Sequence, residues 1–103
     1  MSSVFKALSD PTRRQILQLL RGGPMSAGEL ADHFRVSKPT MSAHFAVLRG
    51  AGLVSSEKQG KSVVYELQLS VLEDALLTFT QVFGWELRSR PSKVRRPAMD
   101  TNR

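Results

Sequence analysis

The spacing of apolar residues changes along the chain and separates helical from extended segments. As far as Gly50, apolar positions recur every three or four residues, the spacing of a helix with one buried face. After Gly52 they alternate with polar positions, which is typical of strands, and from Ser70 the helical spacing returns. The pattern predicts four helices, two strands and a last helix.

Capping residues indicate where these helices begin. The predicted caps are Ser2 or Ser3, Asp10, Ser26, Ser37 and Ser70. Asp10 precedes Pro11, whose fixed φ suits the first helical position. The serines at 26 and 70 are followed three residues later by Glu29 and Glu73, which is the spacing of a capping box. We also expect Gly22 to adopt the left-handed conformation that ends the second helix.

The extended segment predicts a β-hairpin with a tight turn at Gln59-Gly60. The residues that alternate on one face of its second strand are Val63, Tyr65 and Leu67. The expected fold class is therefore mainly α with a small β-hairpin, in the order α-α-α-α-β-β-α.

The fourth predicted helix has two very different faces. Its bulky apolar residues are Met41, Phe45 and Leu48, at spacings of four and three. The opposite face carries small or polar residues, namely Lys38, Pro39, Ser42, Ala43 and Ala46. Small side chains allow a large partner to approach the helix backbone. Two short helices joined by a tight turn, the second with such a face, predict a helix-turn-helix, and the basic hairpin that follows predicts its winged form.

Charge and composition favour a polyanionic partner. The 103 residues carry a formal net charge of +6, and none is cysteine, which excludes disulfides and thiolate metal sites. We expect one domain over residues 1–87 and a basic tail over residues 88–103, which is either a solvated flexible end or an arm that binds phosphates. Without a signal peptide or membrane-length apolar run, the expected location is the cytoplasm.

Three stretches together resemble the ArsR family of winged helix-turn-helix repressors. They are "ALSDPTRRQILQLL", "ELADHFRVSKPTMSAHFAVLRGAGLV" and "EKQGKSVVYEL". The stretches "VFKALSDPTRRQIL" and "SAGELADHFRVSKPT" look closest to the SdpR-like autorepressor branch of the family. The resemblance implies a homodimeric repressor that binds a near-palindromic double-stranded DNA operator, with its own operon as a target. It implies no enzymatic activity. The fourth helix would enter the major groove, the wing would touch the DNA backbone, and the first and last helices would form the dimer.

The residues expected to contact DNA lie on the third and fourth helices and on the wing. They are Ser26, Ser37, Lys38, Pro39, Thr40, Ser42, Ala43, His44, Lys58, Gln59 and Lys61. Some have a structural alternative. Ser26, Ser37 and Thr40 lie at helix N-termini and can serve purely as caps, and the wing lysines can simply protect a strand edge. His44 is either packed or in contact with phosphate. Arg13 and Arg14 are expected to be structural, pairing with acids such as Asp10 or Glu29, with phosphate contact as the second interpretation.

The dimer is expected to use apolar residues of the first and last helices. They are Val4, Phe5, Leu8, Leu72, Leu76, Leu77, Phe79, Val82 and Phe83. The last helix has one stripe to bury against its own chain, and further apolar residues on another side. The stripe is Leu72, Ala75, Leu76, Phe79, Val82 and Phe83, and the further residues are Val71, Leu77 and Trp85. A helix that is apolar beyond one stripe needs a second partner.

Other functions are less well supported by the residues. With two histidines and no cysteine, we expect no metal site, no cofactor and no built-in metal sensor. A winged helix can also serve as a protein–protein adaptor, which is the alternative function. An RNA-binding role is weaker, since surface aromatic platforms for base stacking are not evident.

Overall fold

The structure, a computed structural model, describes residues 2–82 and 84. The five helices are α1 (Ser2–Leu8), α2 (Pro11–Leu20), α3 (Ala27–Ala31), α4 (Lys38–Gly50) and α5 (Leu69–Val82). The three strands are β1 (Met25–Ser26), β2 (Val54–Gln59) and β3 (Ser62–Leu67). The predicted fold class is confirmed, with one strand more than expected. The predictions for Phe83, Trp85 and the tail at 88–103 lie outside the described residues.

Local capping signals explain three of the helix starts. The Asp10 carboxylate accepts a hydrogen bond from the Arg13 N–H at 3.1 Å, as predicted. Ser26 and Glu29 form the predicted capping box, with bonds of 3.1 and 2.9 Å. Ser37 caps α4 by accepting from the Thr40 N–H at 3.3 Å. A serine cap typically contributes about 1 kcal/mol.

Other predicted helix ends are wrong by about one residue. The positive φ after α2 is at Gly23, with a φ of 130°, and not at Gly22. Ser70 lies inside α5 and does not cap it, because the Gln68 N–H still bonds to the Leu53 carbonyl and the helix begins directly afterwards. Ser2 and Ser3 likewise lie inside α1.

The sheet is antiparallel with the strand order β1-β3-β2. The predicted hairpin is present, but its two turn residues are Gly60 and Lys61, one residue later than expected, because Gln59 pairs with Ser62. Gly60 supplies the left-handed conformation of that turn, with a φ of 63°. The wing consists of β2, β3 and the turn between them. The unexpected strand β1 pairs with β3 and connects the start of α3 to the wing.

The core lies between the helices and the inner face of the wing. Its buried apolar residues are Val4, Ala7, Ile16, Leu17, Leu20, Leu30, Met41, Phe45, Leu48, Leu53, Val54, Tyr65 and Ala75. The rings of Phe45 on α4 and Tyr65 on β3 stack with centroids 4.6 Å apart. This contact fixes the wing against α4, and such pairs add about 0.5–1.5 kcal/mol beyond area burial.

The face that α5 buries differs from the predicted stripe. Ala75 is buried, and Val71 and Leu72 pack partly against the core. By contrast, Leu76 is 46% exposed and Val82 is 73% exposed, so their assignment to the buried stripe is wrong for the single chain. The small Ala75 side chain lets its side of the helix approach the core. Leu76, the next residue, then points away from the core. Within the described part of the chain, no helix is long and apolar enough to span a membrane.

Candidate nucleic-acid interface

The predicted difference between the two faces of α4 is confirmed. Met41, Phe45 and Leu48 have at most 6% of their surface exposed, and they hold one face in the core. The exposed residues of the helix are Lys38, Pro39, Thr40, Ser42, Ala43, Ala46, Arg49 and Gly50. None of them carries a bulky apolar side chain, so a large partner can come close to the backbone along this face.

The first turn of α4 offers few free backbone donors. The Thr40 N–H is bonded to the Ser37 hydroxyl, and the Met41 N–H is bonded to the Ser37 carbonyl at 3.0 Å. Pro39 has no N–H. The Ser37 hydroxyl also donates to Thr40 Oγ1 at 2.9 Å, so the two exposed hydroxyls hold each other in place. The Lys38 N–H lies in the same turn and is the candidate backbone donor for a phosphate.

Two shallow grooves border the exposed face of α4. One lies toward α3 and is lined by Ala27, Gly28, Ala31, Lys38, Met41, Ser42 and Phe45. The other lies toward the wing and is lined by Ala27, Ser42, Phe45, Ala46, Arg49, Val63 and Tyr65. Ser42 belongs to both, so it stands at the centre of the concave surface formed by α3, α4 and β3.

Arg49 is a candidate residue that the sequence reasoning missed. It is exposed and lines the groove between α4 and the wing together with Ser42 and Ala46. The spacing contained the signal, because residues 42, 46 and 49 follow the i, i+4, i+7 pattern of one helical face. Arg49 therefore adds a cation to the far end of the face that begins at Lys38.

The wing presents its cations at its tip. Lys58, Gln59 and Lys61 are all exposed, and Lys61 is one of the two turn residues. In the described part of the chain neither lysine forms an ion pair. Both ammonium groups are therefore available to an external anion.

Ser26 occupies a corner away from the centre of this surface. It pairs with Val64 in the sheet and caps α3 through Glu29. Glu29 and Ser26 line the same hollow beside the wing, together with Gln59. These bonds account for Ser26 as a cap, and the neighbouring carboxylate makes the position less favourable for phosphate.

His44 points away from the exposed face of α4. Its side chain is only 15% exposed, Nδ1 lies 3.1 Å from Nη1 of Arg13, and Nε2 lies 4.0 Å from Oδ2 of Asp10. The structure thus places His44 against the start of α2, which corresponds to the packed alternative.

Arg13 and Arg14 hold α1 and α2 together. Arg13 Nε donates to the Ala7 carbonyl at 2.8 Å, and Arg14 Nη1 donates to the Leu8 carbonyl at 2.7 Å. The structural role agrees with expectation, but the expected acid partners of the two guanidinium groups are wrong. The last carbonyls of a helix lack partners within it, and here they accept from arginine instead.

Asp10 completes this junction as an ionised cap. Desolvation raises the pKa of Asp10, but the Arg13 N–H bond, the positive charge of the His44 ring when that ring is protonated, and the Thr12 N–H bond outweigh it. The net effect, with a further contribution from the Arg13 charge, is a pKa below the ordinary aspartate value. The carboxylate therefore remains charged to lower pH than usual.

No group of three or more histidine, cysteine, aspartate or glutamate side chains that could hold a metal occurs among residues 2–82 and 84. The described residues instead form a helix-turn-helix with an exposed second helix, flanked by a basic two-stranded wing. This arrangement defines a winged helix-turn-helix protein that binds DNA.

Comparison with known proteins gives the family. Residues 10–56 match the model of the "Bacterial regulatory protein, arsR family". The chain is 49% identical over 76 residues to the transcriptional repressor SdpR of Bacillus subtilis (strain 168), covering 74% of this chain and 84% of that protein. It is 40% identical over 73 residues to the arsenical resistance operon repressor of Staphylococcus xylosus, covering 71% and 70%.

A solved structure agrees with this result. The ArsR-like transcriptional regulator from Rhodococcus sp. RHA1 superposes with a TM-score of 0.71 at 35% identity, covering 81% of this chain and 78% of that one. The chain belongs to the ArsR family of bacterial regulatory proteins. It is a DNA-binding transcriptional repressor and not an enzyme, which confirms the resemblance drawn from the sequence.

Proposed function

We propose that this repressor binds a near-palindromic operator as a two-fold homodimer, with α4 of each protomer in the major groove and each wing on the flanking backbone. The observation that carries the proposal is the exposed, small-residue face of α4 opposite the buried Met41, Phe45 and Leu48. An α-helix fits the major groove of B-DNA. The side chains on its DNA-facing side must be small if its backbone is to come near the base edges.

Base recognition is assigned to the first half of α4. Lys38 and Ser42 are exposed, lie one turn apart, and can hydrogen-bond base edges. Pro39 and Ala43 lie beside them, where apolar contact with a thymine methyl group is favourable. Ser37 and Thr40 hold each other at the helix start, and we assign to them contact with a phosphate beside the groove.

Backbone contact is assigned to the wing. Lys58, Gln59 and Lys61 are exposed around the turn, and the Phe45–Tyr65 stack fixes the wing relative to α4. When α4 enters a groove, the wing is carried to the sugar-phosphate wall beside it. Unpaired lysines there release counterions from DNA and strengthen binding without selecting a sequence.

The dimer is assigned to α1 and α5. Leu76 and Leu77 are 46% and 54% exposed on α5, and Phe79 lies beside Phe5 of α1 with ring centroids 5.4 Å apart. Both helices thus offer apolar side chains that a second copy can cover. Val4 is buried and Leu72 packs partly against the core, so these two support the interface from within their own chain.

The remaining features of the proposed function concern its regulation. The repressor acts in the cytoplasm on its own operon, and it has no built-in metal sensor. Two isolated histidines supply too few nitrogen ligands for a zinc or cadmium site within one chain.

The test is a binding competition with duplex DNA from the promoter of the protein's own gene. Labelled promoter DNA is titrated with the protein, and unlabelled promoter, unrelated duplex and RNA of equal length are added as competitors. We expect the promoter to compete far better than the other two. Equal competition by unrelated duplex would contradict operator recognition, and no binding to any nucleic acid would favour the adaptor function.

A further inference from the structure

One polar cluster links the DNA-facing helix to a helix assigned to the dimer. Arg13 of α2 donates from Nε to the Ala7 carbonyl at 2.8 Å and from Nη2 to the Lys6 carbonyl at 3.0 Å, both on α1. Its third nitrogen, Nη1, lies 3.1 Å from Nδ1 of His44 on α4. A single guanidinium group therefore ties α1 to α4, and its contact with His44 spans 31 positions of sequence.

The chemistry of this contact fixes the state of the imidazole. Arginine has only donors and keeps its charge at every physiological pH. For a hydrogen bond to exist, Nδ1 of His44 must be the acceptor, so the ring is neutral and carries its hydrogen on Nε2. That hydrogen lies on the side of Asp10, whose Oδ2 is 4.0 Å away.

We propose that His44 is a positioning residue for the recognition helix: as a neutral acceptor for Arg13 it holds α4 in register with α1, and its protonation weakens operator preference. The inference rests on the proposed function, because it concerns how α4 is presented to DNA. His44 acts through Arg13 and the helix backbone, not by touching bases.

Protonation changes every charge relation in the cluster. A protonated ring places an N–H against the Arg13 guanidinium at 3.1 Å, where two donors and two positive charges oppose each other. Asp10 attracts the ring toward the start of α2. The charged groups that face His44 are Asp10, which caps α2, and Arg13 on α2. The contribution of α1 is the Lys6 and Ala7 carbonyls, which act through Arg13. The side chain is largely enclosed, so a shift of the ring is passed to α4.

Protonation of His44 is expected to weaken operator preference, although simple electrostatics predicts that an added positive charge strengthens DNA binding. An added positive charge on a DNA-binding protein should tighten binding to any duplex. A displaced recognition helix should instead lose its advantage on the operator while nonspecific binding stays or grows. The ratio of operator affinity to random-DNA affinity separates the two effects.

The experiment measures that ratio for the full chain between about pH 8 and about pH 5, the range in which histidine ordinarily titrates. Circular dichroism at each pH defines the range in which the protein remains folded. We expect the ratio to fall about fivefold or more toward acid, corresponding to the loss of roughly one hydrogen bond.

Two substitutions at the same position give opposite expectations. His44→Asn places an acceptor near the position of Nδ1 that does not protonate in this range, so its ratio should become independent of pH. His44→Leu removes the acceptor, so its ratio should already be low at alkaline pH. His33→Asn, at the other histidine, which is exposed, is the matched control and should retain the wild-type pH profile.

The outcomes distinguish this inference from the proposed function. No operator preference at alkaline pH would contradict the proposed function itself. A preference that stays constant toward acid in the folded wild type would overturn the role of His44. A rise of operator and random-DNA affinity together, abolished by His44→Asn, would overturn it in favour of direct phosphate contact.

Discussion

The exposed leucines of α5 allow the strength of the proposed dimer to be estimated. Leu76 is 46% exposed and Leu77 is 54% exposed, so together they leave about one whole leucine uncovered in each protomer. Full burial of a leucine side chain is worth about 1.5–3 kcal/mol. Covering both leucines in both protomers would therefore stabilise the dimer by about 3–6 kcal/mol.

The perturbation is the substitution of either leucine by aspartate. In the proposed dimer this removes part of the apolar gain and places a carboxylate in an apolar contact, where it loses its hydration. Loss of one leucine's share in both protomers, about 1.5–3 kcal/mol, would by itself weaken dimerisation by roughly 10- to 10²-fold, at 1.4 kcal/mol per tenfold change. Because Leu77 is more than half exposed, Leu77→Asp should leave the fold of the protomer intact.

Sedimentation velocity over a range of concentrations is the assay, with circular dichroism to verify folding. Gln81→Asp is the matched control, since it adds the same charge to the same helix at an exposed polar position. We expect a dimeric wild type, a dimeric control, and Leu76→Asp and Leu77→Asp proteins that are monomeric and bind operator poorly. A wild type that is monomeric while it binds the operator tightly would refute the reasoning.

Features of the fold that depend on contacts between residues close in sequence could be predicted, and those that depend on distant contacts could not. The caps at Asp10, Ser26 and Ser37 are local signals within three residues, and all three are present. Strand β1 is only two residues long and forms by pairing with β3. It is too short to show the alternation of apolar and polar residues from which a strand is predicted. The start of α5 was displaced in the same way, by the bond from Gln68 back to Leu53.

The same distinction between local and long-range contacts applies to the candidate site. The exposed and buried faces of α4 follow directly from helical spacing, so Lys38 and Ser42 were placed correctly on the outside. For His44 the sequence left packing and phosphate contact open, because its contact with Arg13 joins residues 31 positions apart. Similarly, periodicity shows that α5 is apolar on more than one side, but only the packing of Ala75 decides which side faces the core.

Three further predictions address the wing, metals and acid. Lys61→Ala should lower the log–log salt slope by about 0.9 per lost phosphate contact, hence by about 1.8 for a dimer, with operator preference retained; an unchanged slope would remove Lys61 from the DNA backbone. Operator affinity measured by anisotropy should not respond to added zinc, cadmium or arsenite, and release at stoichiometric metal that is reversed by chelator would overturn this. The Asp10 carboxylate, whose pKa is lowered, should stabilise the fold above the pKa of an unfolded aspartate and lose this effect as the pH falls through its folded pKa. Asp10→Asn should show a smaller loss of melting temperature on acidification than wild type, and an equal loss would contradict the assignment.

The most direct test of the central claim is the ratio of operator affinity to random-DNA affinity for the double variant Lys38→Ala, Ser42→Ala. Both side chains are exposed at the start of α4, so their removal should leave the fold unchanged by circular dichroism. If this face contacts bases, each lost contact should cost about 1–3 kcal/mol on the operator alone, and the ratio should collapse, whereas Lys61→Ala should preserve it. A double variant that keeps the wild-type ratio, beside a Lys61→Ala protein that loses it, would contradict the assignment of α4 to base recognition.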